Sequence, residues 1–198
     1  QCQLIMELHQ LSLNCELLKL LKFLGLKNPI ISTRPVLFSN SKDLAKKSIH
    51  HTTPSHQDWA SMQGSINSMV VWIPLVKMNP SIGNLKIIPK SHLLGLQTTR
   101  RESSFGLVEG MEDQLIQLHN LNLGDIVIFN SFLIHSSGDN TSDKIRWSCH
   151  FRYNDLNEPS FIERGYPHAY RYNPVDELLT PELETQKEIQ DYFKSKIN

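Results

Sequence analysis

The 198-residue sequence lacks several features that would assign a class outright. It has no uninterrupted apolar run on the order of 18 residues, so no segment reads as a membrane-spanning helix. It has no charge bias: 20 Lys plus Arg balance 20 Asp plus Glu, for a formal net charge of 0. That balance leaves no electrostatic footprint for nucleic acid or an anionic membrane as a main partner. The basic clusters "DLAKK" and "TTRR" are short and read as solvated surface. Cysteine is scarce as well. Cys2, Cys15 and Cys149 are odd in number and match no disulfide framework or zinc knuckle. A reducing compartment, the cytoplasm, is the expectation. The start, "QCQLIMELHQ", has neither an initiator methionine nor the order of a signal peptide, so a trimmed N-terminus is expected. No internal repeat and no low-complexity segment is visible.

What is present is ordinary globular composition, 39% hydrophobic and 20% charged, in a length that suits one domain over 1–198. Residues 3–24 read as an amphipathic helix, with Leu4, Leu8, Leu11, Cys15, Leu18, Leu21 and Leu24 on one face and Gly25 and Pro29 as the stop. This N-terminal helical segment occupies residues 1–30. "RPVLF" (34–38) is a short strand, and "SKDLAKKS" forms one or two helical turns. "SMVVWIPLV" (68–76) is β-branched and aromatic and reads as a buried strand. "LKIIP" and "IVIFN" (126–130) are further strands, separated by turn-rich segments such as "NPSIGN". "IRWSCHFRY" (145–153) alternates apolar and polar residues, the pattern of a half-buried strand. A C-terminal helix is expected over 178–198, with Thr180 as cap and Pro181 at its first position. No strand–helix–strand alternation is seen. The order therefore predicts a mainly β fold, a jelly roll or related barrel over 34–155, with α-helices at both ends.

The stretch "HQDW" carries the chemistry. On an extended segment His56 and Asp58 project to the same side, because side-chain direction repeats every two residues. Imidazole and carboxylate are ligands for iron, zinc and similar divalent metals, but two ligands hold a metal poorly. His135, following a strand at the lip of a polar loop, is the candidate third. Two histidines and one carboxylate would form a face with open coordination positions, as in non-haem iron(II) oxygenases. Arg146 lies eleven residues beyond His135. If that loop folds back as a hairpin, Arg146 points into the same cavity, where a ligand's carboxylate would satisfy it. The alternative is an ion pair with Asp143 or Asp155.

Taken together, "HQDW", "VVWIPLV", "GNLKIIPKSH", "LGDIVIFNSFLIHSSGDN" and "RWSCHFRYND" resemble the phytanoyl-CoA dioxygenase family of iron(II)- and 2-oxoglutarate-dependent oxygenases. The resemblance covers roughly residues 34–155, in family order. It implies a double-stranded β-helix, the cupin-like form of the jelly roll. It implies that His56, Asp58 and His135 hold iron(II), and that Arg146 grips the distal carboxylate of 2-oxoglutarate with help from Ser137. Trp72 and Phe38 are implied to line the cosubstrate pocket; a core role is the other reading of Trp72. The implied reaction uses dioxygen and 2-oxoglutarate to hydroxylate a C–H bond, releasing succinate and carbon dioxide. The implied partner is a small-molecule substrate, with no basic pocket for the phosphates of coenzyme A. Metal affinity is expected to fall in mild acid as the ligands protonate.

The sequence departs from the family's usual Pro-Gly-Ser-His, having "PKSH" with Lys90 at the glycine. His92 in that motif is expected to bond the turn. Gln57 should point away from the metal, Trp59 should pack beside it, and His150 is placed to border the pocket. Arg100, Arg101, Arg152 and Arg164 read as surface or ion-paired residues, or as contacts to an anionic substrate. Residues 94–118 read as a loop-rich lid. Two other classes share the features: a zinc hydrolase using the same ligands, and a non-catalytic jelly-roll binding module.

Overall fold

The computed structural model describes residues 5–32, 35–45, 52–97 and 106–166. The described elements are α1 (Met6–Ser12), α2 (Cys15–Phe23), β1 (Pro29–Ile31), β2 (Val36–Asn40), α3 (Lys42–Ala45), β3 (His56–Gln57), α4 (Trp59–Met62), β4 (Met69–Pro74), β5 (Leu85–Ile87), β6 (Gly106–Leu107), β7 (Ile116–Gln117), β8 (Val127–Asn130), β9 (His135–Ser137), β10 (Arg146–Asp155) and α5 (Pro159–Glu163). The strands form two five-stranded sheets in which every pairing is antiparallel. One runs β1-β10-β4-β8, with β2 also beside β10; the other runs β6-β3-β9-β5-β7.

The ten-residue β10 organises the molecule. Its Cys149, Phe151 and Tyr153 join Val71 and Ile73 of β4 in a core under Leu8, Leu17, Leu21 and Leu26. Full burial of an apolar side chain of this size contributes about 1.5–3 kcal/mol. Tyr153 also donates from Oη to the Ser12 carbonyl at 2.6 Å, tying the end of α1 to the sheet. The alternate residues Arg146, Ser148, His150 and Arg152 take the opposite face, toward the second sheet. There Val70, Trp72 and Phe129 pack with Leu85, Met78 and Leu133 in a second core. So β10 is buried on both faces over most of its length rather than half-buried. The second sheet covers the polar face that alternation alone would leave to solvent, while the N-terminal helices cover the apolar one.

The single helix expected over 3–24 is broken. Asn14 leaves the helix and caps α2, accepting from Glu16 N at 3.0 Å and Leu17 N at 3.2 Å. The break resets the helical face, so Cys15 and Leu24, expected on the apolar stripe, are exposed. The helix expected over 178–198 lies outside the described residues. Short α5 was not anticipated; the Glu158 carboxylate caps it from Ser160 N and Phe161 N, with Pro159 at its first position.

The turn after β5 also differs from expectation. Ser91 ties it, its hydroxyl accepting from Ile134 N at 2.8 Å, whereas His92 is exposed. Lys90 there has φ 64°, the left-handed region that favours glycine. That is the physical sense of the glycine the resemblance leads one to expect.

Candidate metal centre

His56 sits on β3, in the interior of its sheet between β6 and β9, and its register partner on β9 is His135. The two histidines, far apart in sequence, are thus on directly paired strands. Asp58 is not on an extended segment as expected. It adopts φ −61° and ψ −32° at the start of α4, and that helical turn brings its carboxylate back toward the histidines. The three side chains are buried, and their ligand atoms lie within 4.8 Å of one another.

Each histidine is oriented the same way. His56 Nδ1 lies 2.8 Å from the Pro54 carbonyl, and His135 Nδ1 lies 2.9 Å from the Leu133 carbonyl. A carbonyl only accepts, so each Nδ1 carries the proton and each Nε2 keeps its lone pair. The two Nε2 atoms face Asp58 at 3.8 Å, His56 toward Oδ1 and His135 toward Oδ2. Burial holds both rings neutral, pushing His56 down to about 3 and lowering His135. Burial would by itself raise Asp58, but the Arg152 guanidinium, with Nη2 2.7 Å from Oδ1, outweighs it and keeps the carboxylate ionised. Asp58 Oδ2 is buried without a hydrogen-bond partner.

A buried anionic oxygen with no donor is unfavourable. The neutral imidazoles of His56 and His135 turn their Nε2 atoms to this carboxylate, His56 toward Oδ1 and His135 toward Oδ2. This donor set fits a divalent transition metal.

This burial argues for a weaker effect of mild acid on metal binding than solvated histidines would give. In the folded protein the histidines resist protonation. In the unfolded chain they titrate near 6.5, so that chain takes up protons first. The stability tied to neutral His56 is therefore present above pH 6.5 and lost as pH falls toward about 3. We expect the melting temperature of the metal-free protein to fall steadily below about pH 6.5. Metal affinity of the folded protein should fall less in mild acid than it would for solvated histidines, because burial lowers the pKa of both rings. Thermal melts and anaerobic metal titrations over one pH series check both.

A cavity of about 170 Å³ opens beside the triad, lined by Phe38, Trp72, Ser137 and His150 together with His56 and His135. His150 thus borders the pocket as anticipated. Its ring stacks on Phe38 at 5.7 Å and its Nε2 lies 3.2 Å from Ser148 Oγ. Burial lowers it well below the ordinary histidine value.

Arg146 is 1% exposed and is not itself a lining residue; its guanidinium lies 5.4 Å from the Phe38 ring and 5.8 Å from the Trp72 ring, both in the cavity wall. One nitrogen, Nη1, donates to the Gly83 carbonyl, and Nε has no hydrogen-bond partner. Burial lowers its pKa to about 10, which leaves it cationic at neutral pH. Neither expected acid pairs with it. Asp143 is engaged by Lys42, and Asp155 accepts from Lys27 N at 2.9 Å and Asn28 N at 2.8 Å. No carboxylate forms an ion pair with Arg146 among the described residues. Nor do His135 and Arg146 form a hairpin: β9 and β10 belong to different sheets, and the loop between them crosses over. Gly83, the anchor of Arg146, has φ +79°, and a Cβ there would lie 2.6 Å from the Gly138 carbonyl oxygen.

Two residues are more involved than the sequence alone revealed. Arg152, read as surface or ion-paired, is a buried partner of Asp58 and lines the cavity. The signal available was parity, since Arg146, His150 and Arg152 alternate along β10. Gln57 points away from the ligands as expected, and the structure shows what it does there. Fully buried, it donates from Nε2 to the Gly95 and Phe132 carbonyls at 2.8 and 2.6 Å and accepts from Gln97 N at 2.7 Å. It joins the His56–Asp58 segment to the approach to β9. Trp59 packs beside the site, stacked on Phe132 at 4.9 Å.

Comparison with known proteins shows the family and the fold. The profile of the family described as phytanoyl-CoA dioxygenase (PhyH) matches residues 28–148. A curated relative, 1-deoxypentalenic acid 11-beta-hydroxylase of Streptomyces exfoliatus, is 27% identical over 158 residues, 73% of this chain and 51% of the relative. The chain thus spans about half the length of that relative. Among solved structures, the epimerase SnoN in complex with Fe3+, alpha ketoglutarate and nogalamycin RO is similar with a TM-score of 0.59 at 19% identity, over 89% of this chain and 66% of that one. The non-heme alpha ketoglutarate dependent carbocyclase SnoK is similar with a TM-score of 0.58 at 18% identity, over 87% and 70%. These two likenesses are of fold. No helix among the described residues is long and apolar enough to cross a membrane.

Proposed function

Because the chain belongs to the phytanoyl-CoA dioxygenase family, we propose that it is an iron(II)- and 2-oxoglutarate-dependent oxygenase acting on a small molecule, with its two sheets closing as a double-stranded β-helix. The observation that carries the reading is the pairing of two unmet demands in one buried region. Among the described residues, the Asp58 carboxylate lies beside both histidine Nε2 atoms with its Oδ2 lacking a hydrogen-bond donor, and Arg146 is a buried cation without a carboxylate partner. A metal answers the first and an anionic cosubstrate the second. A zinc hydrolase would have use for the first alone.

His56, Asp58 and His135 would hold the iron, which with 2-oxoglutarate supplies the dioxygen activation that couples decarboxylation of the cosubstrate to oxidation of a substrate C–H bond. The residues contribute geometry. The Pro54 and Leu133 carbonyls fix both imidazole tautomers, so the ligands need little reorganisation on binding. Arg146 would meet the far carboxylate of 2-oxoglutarate, with Ser137 as a second polar contact. Phe38 and Trp72 flank that guanidinium and would keep water from screening the pair. Hydroxylation of a small metabolite or biosynthetic intermediate is the favoured outcome, on the likeness to a curated hydroxylase. The test is anaerobic reconstitution with iron(II) and 2-oxoglutarate, watching for the weak visible charge-transfer band of the chelate. Protein that binds iron yet gives no band on adding 2-oxoglutarate would sink the proposal.

A further inference from the structure

The two oxygens of the Asp58 carboxylate have different surroundings. Oδ1 accepts from Arg152 Nη2 at 2.7 Å and lies 3.8 Å from His56 Nε2, while Oδ2 has no hydrogen bond and faces His135 Nε2 at 3.8 Å. Arg152 is 6% exposed, and its stem rises from β10 on the face shared with Arg146 and His150. It reaches across to Asp58 from the opposite sheet wall, 94 residues away in sequence. A carboxylate offered to a metal by one oxygen takes one coordination position; by both oxygens it takes two. With two imidazoles, the first leaves room for a chelating cosubstrate and dioxygen, and the second does not.

From this difference, and resting on the proposed function, we infer that Arg152 is a positioning residue that commits Asp58 to one-oxygen ligation and so keeps the metal's open positions free for 2-oxoglutarate. The charge-assisted contact to Oδ1 competes with the metal for that oxygen. The planar fork of arginine is held in a buried wall, so the carboxylate cannot rotate to present both oxygens without breaking the ion pair. Arg152 itself touches neither metal nor cosubstrate in this role.

Two measurements test it on the intact chain without dioxygen. In wild-type protein loaded with zinc(II), difference infrared spectroscopy with isotopically labelled aspartate should show the wide splitting of a one-oxygen carboxylate ligand. The narrow splitting of a two-oxygen ligand would overturn the inference whatever any variant does. With cobalt(II) as probe, Arg152→Gln should bind the metal about as well as wild type or more tightly. It should bind 2-oxoglutarate about 10-fold more weakly, with altered visible cobalt bands. Arg152→Lys, which keeps a cation at Oδ1, should recover much of the loss. Unchanged 2-oxoglutarate affinity and bands in Arg152→Gln would overturn the inference, as would equal loss of metal and cosubstrate. Failure of wild type to bind metal or 2-oxoglutarate would instead defeat the functional proposal beneath it.

Discussion

Asp58→Ala is expected to abolish metal binding and to destabilise the metal-free protein at once. The first effect follows from losing the only anionic ligand of three. The second follows from Arg152, whose ion-pair partner at 2.7 Å disappears while the guanidinium stays 6% exposed. Removing one member of a buried ion pair costs about 3–5 kcal/mol, because the other charge is left uncompensated. For a chain of this size that is a fall in melting temperature of roughly 6–20 °C. Calorimetric titration with cobalt(II) and a thermal melt of the metal-free variant check the two parts. Asp58→Asn should be destabilised less, since its amide oxygen can still accept from Arg152 although the guanidinium charge is unpaired, while the anionic ligand is equally gone. Metal affinity within twofold of wild type in either variant would contradict the assignment of Asp58.

Arg146→Ala should have the opposite selectivity. Truncating one side of a buried charged contact costs on the order of 2–5 kcal/mol, so 2-oxoglutarate affinity should fall roughly 30- to 4,000-fold. Metal affinity should be spared, because Arg146 forms no ion pair with Asp58; that contact is Arg152's. Arg146→Lys should fall between, since a lysine cannot present the planar fork to a carboxylate. The measurement is an anaerobic 2-oxoglutarate titration followed by chelate absorption, beside a metal titration. Equal loss of both ligands would contradict the role given to Arg146.

The chemistry-bearing residues were more legible in the sequence than their relations. His56, Asp58, His135 and Arg146 could be named because each motif is local. That Arg152 reaches Asp58 was not readable, because it depends on how a strand of one sheet overhangs a ligand beside the other. The reading of both ligands of "HQDW" on an extended segment failed for a local reason: a helical turn begins at Asp58. Strands of two or three residues, such as β3, β7 and β9, are too short for alternation to register. The longer β4, β8 and β10 were found near their observed bounds because β-branched and aromatic runs or alternation mark them. Asn14 is a cap signal that the leucine repeat across 3–24 outvoted.

The register of β10 has a consequence for how the site can fail. Along this strand one set of alternate residues builds the core under the helices and the other set faces the second sheet, with His150 and Arg152 in the cavity wall. A slip of one residue would exchange the two sets, driving Arg152 beneath the leucines and Phe151 into the place of the ion pair. No intermediate register leaves a half-working centre. Asp155, clasped by the Lys27 and Asn28 amides at the strand's end, is the stop against that slip. The register that sets the apolar residues of β10 under the helices is thus also the one that turns both arginines toward the second sheet.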